Sequence, residues 1–390
     1  METKVLWCWE MEFKLTPEQE MLQDTAREFA EKEVEPRVEE IERTRKIPED
    51  LIKRLFELGF GGIIIPEEFD GSGAGHLARA IVLEEIAYSC PALAFTLQIV
   101  HLGQGPLIFY GSKEQKEKWL PDLAKGKLIA SCAVTEPTGG SDVMGIKTFA
   151  KKENNEYVIT GRKCFITNVH LANIHGVLAK SGEDPRHMTF FMIEGNRPGV
   201  KPGREENKVG LRGCNTGELI LDNVRVPVEN VIGVEGKGLR VALTAITNVG
   251  RMGVAATALG IIRRCLDEAV KFANQRVLYG QPISKLQAIQ WLVSDIYLRY
   301  ESARLLLHRA AWMIDQGIRA DAEVGMAKLT ATEGAVECAS KLSTILGGYG
   351  IMEEYAAQRL FRDAYVLVPA AGTNEIMKII ISRKAFERTT

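Results

Sequence analysis

The 390-residue sequence has no excess of either charge, since 49 lysine and arginine residues stand against 51 aspartate and glutamate residues. This balance excludes a strongly acidic or basic chain and gives no long-range attraction to nucleic acids or anionic membranes. Hydrophobic residues make up 46% of the chain and charged residues 26%, which is typical of a soluble globular protein. At roughly 150 residues per domain, the length predicts more than one domain.

The seven cysteines are scattered and form no Cys-x-x-Cys pair. An odd number without clustering argues against a disulfide framework or a zinc site, so we expect no bound metal and reduced thiols in the cytoplasm. A Walker A pattern and a Gly-x-Gly-x-x-Gly pattern are also missing. Neither of the common nucleotide-binding loops is therefore predicted.

Charged side chains are absent from residues 86–112, and this length alone would allow a membrane span. Pro91, Gln98, His101 and Pro106 interrupt the stretch with polar and helix-bending residues. The pattern therefore favours a helix buried in a soluble protein, without membrane insertion.

The spacing of apolar residues divides the chain into three regions and predicts an α+β fold. Residues 11–128 have helical periodicity, with a capping box at Thr16 and Gln19. Residues 129–243 concentrate β-branched and aromatic residues between turn formers, which indicates a β domain. Residues 244–390 return to long amphipathic helices. Ligand sites are common where such domains meet.

The richest local motif is CAVTEPTGGSDVMGIKT, residues 132–148. Its hydroxyls and glycine N–H groups follow a predicted strand and suit a polar ring or a phosphate. From these residues alone, a turn with solvated hydroxyls explains the motif equally well.

Four segments together resemble one family: TEPTGGSDV, KCFITN (163–168), RVLYGQPISKLQAIQ (276–290), and ILGGYGIMEEY with the following FRDA (345–364). In this order and spacing the chain resembles the acyl-CoA dehydrogenases from residue 11 onward. The resemblance implies an N-terminal helical domain, a central β domain and a C-terminal four-helix bundle, usually in a homotetramer. It also implies FAD between the β domain and the bundle, an acyl-CoA substrate, and an electron-transferring flavoprotein as acceptor.

The resemblance also implies which residues contact FAD. Phe165 stands where many relatives have Trp against the flavin, and ring stacking survives this exchange. Arg276 matches an arginine that meets the FAD pyrophosphate across a subunit boundary, although on its own it could be a solvated helix charge. The positions carried over are Val134, Thr135, Ser141, Phe165, Thr167, Arg276, Tyr279, Gln287, Gly347, Gly348, Thr373 and Glu375.

The substrate positions depart from the family pattern. Arg251 matches an arginine beside the substrate, and Asn248 replaces an Asp that several relatives use for the adenine of coenzyme A. The catalytic base of most relatives is a Glu at the position of Ala371, and a second known position is occupied here by Gly250. The N–H of Ala371 remains available to the thioester oxygen. Ser141, Asn248, Arg251, Ala370 and Ala371 are therefore the predicted substrate contacts.

His101 is the candidate for a relocated base, because its helix passes along the acyl pocket in relatives and a histidine pKa suits proton abstraction. The alternative is a hydrogen-bonded core histidine. Ala370 and Ala371 replace bulkier residues, which favours a cyclic or branched acyl group unless neighbours fill the space. The alternatives to a dehydrogenase are a non-catalytic partner subunit and a flavin-dependent enoyl-CoA reductase or oxidase.

Overall fold

The computed structural model describes residues 13–387. Six helices and a π-helical turn (Ala30–Val34) form the first region. The helices are α1 (Pro17–Phe29), α2 (Val38–Thr44), α3 (Glu49–Glu57), α4 (Gly75–Ser89), α5 (Pro91–Tyr110) and α6 (Lys113–Ala124). The predicted capping box is confirmed, because Thr16 accepts from the N–H of Gln19 (3.2 Å) and Gln19 accepts from that of Thr16 (3.1 Å).

Two helical segments, Pro91–Tyr110 and Gly238–Gln275, are long and apolar enough to cross a membrane by length and composition. Both are mostly buried inside the fold, and core helices of soluble proteins pass the same test. The burial of α5 agrees with the prediction of a buried helix for this uncharged stretch.

The central region is one eight-stranded sheet. The strands are β1 (Ala130–Ala133), β2 (Phe149–Glu153), β3 (Glu156–Thr167), β4 (Ile174–Lys180), β5 (Met188–Glu194), β6 (Val200–Glu205), β7 (Thr216–Pro227) and β8 (Val231–Ile232). Their order in the sheet is β6-β7-β3-β2-β4-β5-β8, and β1 pairs in parallel with β4. The long antiparallel pair of β3 with β7 carries a register shift between Lys163 and Ile166.

The last region is helical apart from the small hairpin of β9 (Val277–Leu278) and β10 (Gln281–Pro282). A π-helical turn, Ile246–Arg251, separates the first two of its helices. The helices are α7 (Gly238–Ala245), α8 (Met252–Gln275), α9 (Gln287–Asp315), α10 (Asp321–Leu346), α11 (Ala356–Leu367) and α12 (Asn374–Phe386). The predicted order of helical domain, β domain and helical bundle is confirmed.

The helical regions share one core. Buried residues of α4 and α5 pack with those of α8, α9 and α10 in a single hydrophobic cluster. The sheet contributes two further clusters, one of which also contains residues of α6 and α7. The π-helical turn before α8 therefore lies between the first and the last helical regions, where it contacts α5 and α10.

Candidate functional site

The loop between β1 and β2 carries the motif TEPTGGSDV and is held at both ends by one buried ion pair. The Glu136 carboxylate accepts hydrogen bonds from the backbone N–H of Lys147 (2.6 Å) and of Thr148 (3.0 Å). Lys163 on β3 donates to Glu136 Oε1 (2.8 Å) and to the carbonyl of Val134 (3.0 Å). The loop is thereby fixed to the middle of the sheet.

This ion pair lies away from water, and both of its side chains are buried. Burial acts to raise the pKa of Glu136, but the charge of Lys163 and the accepted hydrogen bonds outweigh it and lower the pKa. Burial lowers the pKa of Lys163, and Glu136 opposes that change. The opposite charges of the two side chains and their hydrogen bonds therefore compensate the cost of burying both groups.

A bulge in β3 turns Phe165 out of the sheet beside this loop. Phe165 has a left-handed backbone φ of 57°, and its side chain is 65% exposed. The carbonyl of Thr135 accepts from the N–H of Cys164 (3.0 Å), so the loop and the bulge are neighbours. Thr167 follows at the end of β3, where its hydroxyl lies 3.4 Å from that of Thr216.

The predicted cofactor residues of the β domain therefore lie near the ends of β1 and β3. Val134, Thr135 and Thr167 are half-buried there, and Phe165 is exposed. Ser141 lies further along the same loop and is also exposed. This region presents an aromatic face, hydroxyls and backbone groups that the chain itself does not cover.

The other predicted cofactor residues form a second, exposed group. Arg276 precedes the hairpin of β9 and β10, and its guanidinium lies 5.9 Å from the ring centre of Tyr349. Tyr279 at the tip is 91% exposed, and Gln287 at the start of α9 is also exposed. Side chains added at Gly347 and Gly348 would meet no atom within 4 Å.

Within residues 13–387, no hydrogen bond or ring contact joins this second group to Phe165. Thr373 and Glu375 lie at the start of α12, where Thr373 caps the helix by accepting from the N–H of Ile376 (3.4 Å). Glu375 is exposed.

The two positions at which the sequence resemblance predicts a base face each other. A Cβ placed on Gly250 would lie 3.5 Å from the Cβ of Ala371 and 3.5 Å from a methyl group of Leu102. Arg251 donates to the carbonyl of Ala371 (3.2 Å) and to the hydroxyl of Thr247 (3.0 Å). Both positions therefore present apolar groups beside a buried guanidinium.

The predicted role of His101 as the base is not supported by its hydrogen bonds. Its Nδ1 accepts from the Nε of Arg79 (3.0 Å), and its Nε2 donates to the carbonyl of Phe60 (2.8 Å). Burial, reinforced by the charge of Arg79, holds the pKa of His101 well below its usual range. The ring is neutral, but both of its nitrogens are occupied, so it has no free lone pair to take a proton. We therefore interpret His101 as a core residue.

Three buried cations surround the Gly250–Ala371 contact, and sequence reasoning missed two of them. Arg79 on α4 donates to the carbonyl of Val249 (2.9 Å), and burial lowers the pKa of Arg79 to about 9. Lys328 on α10 donates to the carbonyl of Val368 (2.5 Å) and to Asn374 Oδ1 (2.7 Å). Burial and then the charge of Arg251 lower the pKa of Lys328 to about 7. Burial also lowers the pKa of Arg251.

A cavity of about 1340 Å³ extends from this point between α7, α10 and α12. Thr247, Asn248 and Arg251 line it, so two of the predicted substrate contacts share this wall. Ala370 and Ala371 lie beside Arg251 in the segment before α12. Further cations also line the cavity: Arg186, Lys237, Arg240, Arg319, Arg383 and Lys384. This lining suits an elongated anionic ligand.

Models of all three domains of one family match the chain. The N-terminal domain of acyl-CoA dehydrogenase matches residues 16–127, the middle domain residues 131–224, and the C-terminal domain residues 236–386. The chain therefore belongs to the acyl-CoA dehydrogenase family. Members of this family are FAD-dependent oxidoreductases of acyl-CoA thioesters, and FAD is the cofactor.

The relatives include enzymes named for both directions of the reaction. Acryloyl-CoA reductase (NADH) of Anaerotignum propionicum is 40% identical over 97% of each chain. An acyl-CoA dehydrogenase of Bacillus subtilis is 41% identical over 95% of this chain and 98% of the relative. Cyclohexane-1-carbonyl-CoA dehydrogenase of Geobacter metallireducens is 36% identical over 95% and 98%.

Solved structures with the same fold include butyryl-CoA dehydrogenase of Megasphaera elsdenii. It has a TM-score of 0.94 and 34% identity, over 96% of this chain and all of the other. A structure concerned with the electron transferring flavoprotein of Acidaminococcus fermentans also has a TM-score of 0.94, with 36% identity over 96% of this chain and 99% of the other. The FAD complex of PigA has a TM-score of 0.92, with 30% identity over 97% and 100%.

The residues present fit FAD. The exposed ring of Phe165 offers a face for the flavin, and the hydroxyls of Thr135 and Thr167 offer hydrogen bonds to its polar edge. The exposed guanidinium of Arg276 suits a pyrophosphate, to which it can donate two parallel hydrogen bonds. These roles remain predictions for the individual residues.

Proposed function

We propose that the chain is an FAD-dependent oxidoreductase that desaturates the α,β bond of an acyl-CoA thioester with a cyclic or α-branched acyl group. The observation that carries this proposal is the convergence of Gly250, Ala371 and Arg251 beside the cation-lined cavity. Small residues leave room next to the reacting carbons. The cations suit the phosphates of coenzyme A.

Ala371, Arg251 and Lys328 each have a part in holding the substrate. The N–H of Ala371 donates to the thioester oxygen and stabilises the negative charge that develops there. Arg251 fixes the same peptide through its hydrogen bond to the carbonyl of Ala371 (3.2 Å). Lys328 fixes the following segment through Val368 and Asn374. Bound FAD supplies a two-electron acceptor for the hydride that leaves the β carbon.

The test is flavin bleaching by a panel of esters added to the FAD-loaded protein without oxygen. Cyclohexanecarboxyl-CoA and isobutyryl-CoA carry a branched α carbon, and butyryl-CoA is the straight-chain control. We expect rapid bleaching by at least one branched ester. If esters bind and none bleaches the flavin, the alternative of a non-catalytic partner subunit is favoured.

A second candidate function is enoyl-CoA reduction, because a relative named acryloyl-CoA reductase is 40% identical over almost the whole chain. Chemically reduced protein mixed with an enoyl-CoA ester would then regain its yellow colour faster than after mixing with buffer. Rapid recolouring by dissolved oxygen alone would favour an oxidase. Electron-transferring flavoprotein is the acceptor that we propose for the dehydrogenase.

We further propose a cytoplasmic homotetramer. Trp291, Leu298 and Leu305 follow one another at seven-residue spacing on α9 and are 62%, 66% and 44% exposed. Such an apolar stripe suits a second copy of the chain. Arg276 is also exposed, and the resemblance implies that it meets the cofactor across a subunit boundary. The free cysteines fit a reducing compartment. Leu298→Glu should lower both the molecular mass in solution and the FAD content.

A further inference from the structure

The site around Gly250 and Ala371 contains three buried cations that form no direct ion pair with a carboxylate of the described residues. Arg79, Arg251 and Lys328 are 1%, 6% and 0% exposed. Within the described residues, they donate only to backbone carbonyls, a hydroxyl, an amide oxygen and an imidazole. This part of the fold therefore has an excess of positive charge, and a buried cation without a paired opposite charge is costly.

A separate observation indicates that acceptors are missing here. Asn374 is 2% exposed, and its Oδ1 accepts from Lys328 (2.7 Å) and Thr332 (3.2 Å). These contacts fix the orientation of the amide. Its Nδ2 is buried and, among residues 13–387, has no acceptor. An unpaired buried donor beside an unpaired buried cation points to a ligand that brings an anionic group.

No carboxylate is among the atoms nearest to the Gly250–Ala371 contact. The atoms nearest to a Cβ on Gly250 are the methyl groups of Ala371 and Leu102. The carboxylates that line the cavity pair with cations: Asp321 with Arg319 (2.5 Å), Glu323 with Arg309 (3.8 Å) and Glu387 with Lys384 (3.3 Å). The amine of Lys328, whose pKa burial lowers to about 7, already donates to Val368 and Asn374.

We propose that the substrate itself supplies the missing carboxylate, and that it is an α-carboxyacyl-CoA, a thioester of the malonyl type. This inference rests on the proposed function and names its substrate class, since such an acyl group is α-branched. The carboxylate takes the space beside Gly250 and Ala371, and its charge balances the cations around them. The methyl groups of Ala371 and Leu102 keep water from the carboxylate, which favours loss of CO2 over a stable hydrated carboxylate.

The reaction balances without a base. The bond between the α carbon and the carboxylate carbon breaks and CO2 leaves. The electron pair of that bond forms the α,β double bond, while a hydride leaves the β carbon for the two-electron acceptor of the family. One negative charge enters with the carboxylate and one leaves with the hydride. The α hydrogen stays on the product throughout.

The experiment compares three esters on the FAD-loaded protein: 2-carboxybutyryl-CoA, butyryl-CoA without the carboxylate, and glutaryl-CoA with a distant carboxylate. Calorimetry should give at least about tenfold tighter binding of 2-carboxybutyryl-CoA than of butyryl-CoA, because the buried cations and the unpaired amide of Asn374 offer its carboxylate charge-assisted hydrogen bonds. It should also bleach the flavin, release CO2 and keep deuterium placed on its α carbon.

Equal affinity for 2-carboxybutyryl-CoA and butyryl-CoA would overturn the inference, and this result needs no turnover. Tighter binding of glutaryl-CoA than of 2-carboxybutyryl-CoA would also overturn it. Bleaching by butyryl-CoA with loss of α deuterium to water would overturn the substrate class while leaving the oxidoreductase function intact.

Ala371→Glu provides the matched test, with Ala371→Gln as the control of similar shape without charge. The new carboxylate repels the substrate carboxylate and can serve as a base. We therefore expect Ala371→Glu to lose the preference for 2-carboxybutyryl-CoA and to gain bleaching by butyryl-CoA. Ala371→Gln should keep the preference and gain no such activity. An unchanged preference in Ala371→Glu would contradict the inference.

Discussion

Two clusters of buried charge in this molecule differ in what compensates them. In the β domain, the carboxylate of Glu136 and the ammonium group of Lys163 lie 2.8 Å apart, and both groups make their remaining hydrogen bonds to the backbone. Around Ala371, no carboxylate of the described residues forms a direct ion pair with Arg79, Arg251 or Lys328, although Asp321 acts on Arg251, and Glu375 and Glu333 act on Lys328, from further away. The first cluster therefore contains a direct ion pair, and the second does not. The difference separates a structural clamp from a binding site.

The cations of the second cluster are tolerated because they have backbone partners. The π-helical turn Ile246–Arg251 shifts its internal hydrogen bonds, and two of its carbonyls accept from outside it. Val249 accepts from Arg79 (2.9 Å), and Gly250 accepts from Gln98 (3.3 Å). Neutral carbonyls orient a guanidinium but do not cancel its charge. A ligand anion can do so.

The largest effect is expected from giving the second cluster a carboxylate through Gly250→Glu. A Cβ at Gly250 makes ordinary contacts at 3.5 Å, so the backbone accepts a side chain that begins next to Ala371. A positioned general base contributes roughly 10²–10⁴-fold to a rate, and we expect a gain of that order in flavin bleaching by butyryl-CoA. Stopped-flow absorbance measures it, with Gly250→Gln as the control. Equal rates in the two variants would mean that no base was created.

The next effect tests the first cluster through Lys163→Met, which leaves Glu136 buried without its cation. Breaking a buried ion pair on one side costs about 3–5 kcal/mol, and denaturant unfolding should show a loss of this size. Lys152→Met is the control, because Lys152 pairs with Glu235 at the surface and contributes little. The double variant Lys163→Met with Glu136→Leu should recover part of the loss. No recovery would mean that Lys163 acts mainly through Val134.

The fold and the presence of FAD could be predicted because their signals are local in the sequence. Helical periodicity, the capping box at Thr16 and the motif around Thr135 each depend on residues close together in the chain. The departure at Gly250 and Ala371 was also visible. Their mutual contact could not be derived, because it joins the π-helical turn before α8 to the segment before α12 through the packing of the whole bundle.

Lys328 and Arg79 were missed because a single cation in a helical pattern usually lies on a solvated face. The available signal was their position among buried small residues: Lys328 shares a helix face with Val324 and Ala331, and Arg79 lies between Ala78 and Ala80. His101 was misinterpreted for a related reason. Sequence places its helix beside the pocket but does not determine which way the ring points.

His101 belongs to the second cluster, because it is the neutral hydrogen-bond partner of Arg79. His101→Ala removes the acceptor of Arg79 and the donor to Phe60, and each unsatisfied buried group costs about 1–3 kcal/mol. We expect unfolding measurements to show a loss of a few kcal/mol. Flavin bleaching per bound FAD should change little. A selective loss of bleaching with unchanged stability would return His101 to the role of base.

The effect that is smallest for a single step of the measurement concerns Lys328 and tests how far the charge of the second cluster is already compensated. The folded pKa is about 7 and the ordinary value is 10.5, so between these values the unfolded chain binds more protons. The free energy of unfolding should therefore rise with pH in this window by up to about 1.4 kcal/mol per pH unit, and it should be independent of Lys328 ionisation below the window. Lys328→Met should lack this rise. Because a hidden carboxylate would hold the pKa of Lys328 up, parallel curves for the two proteins would show that the charge is already balanced.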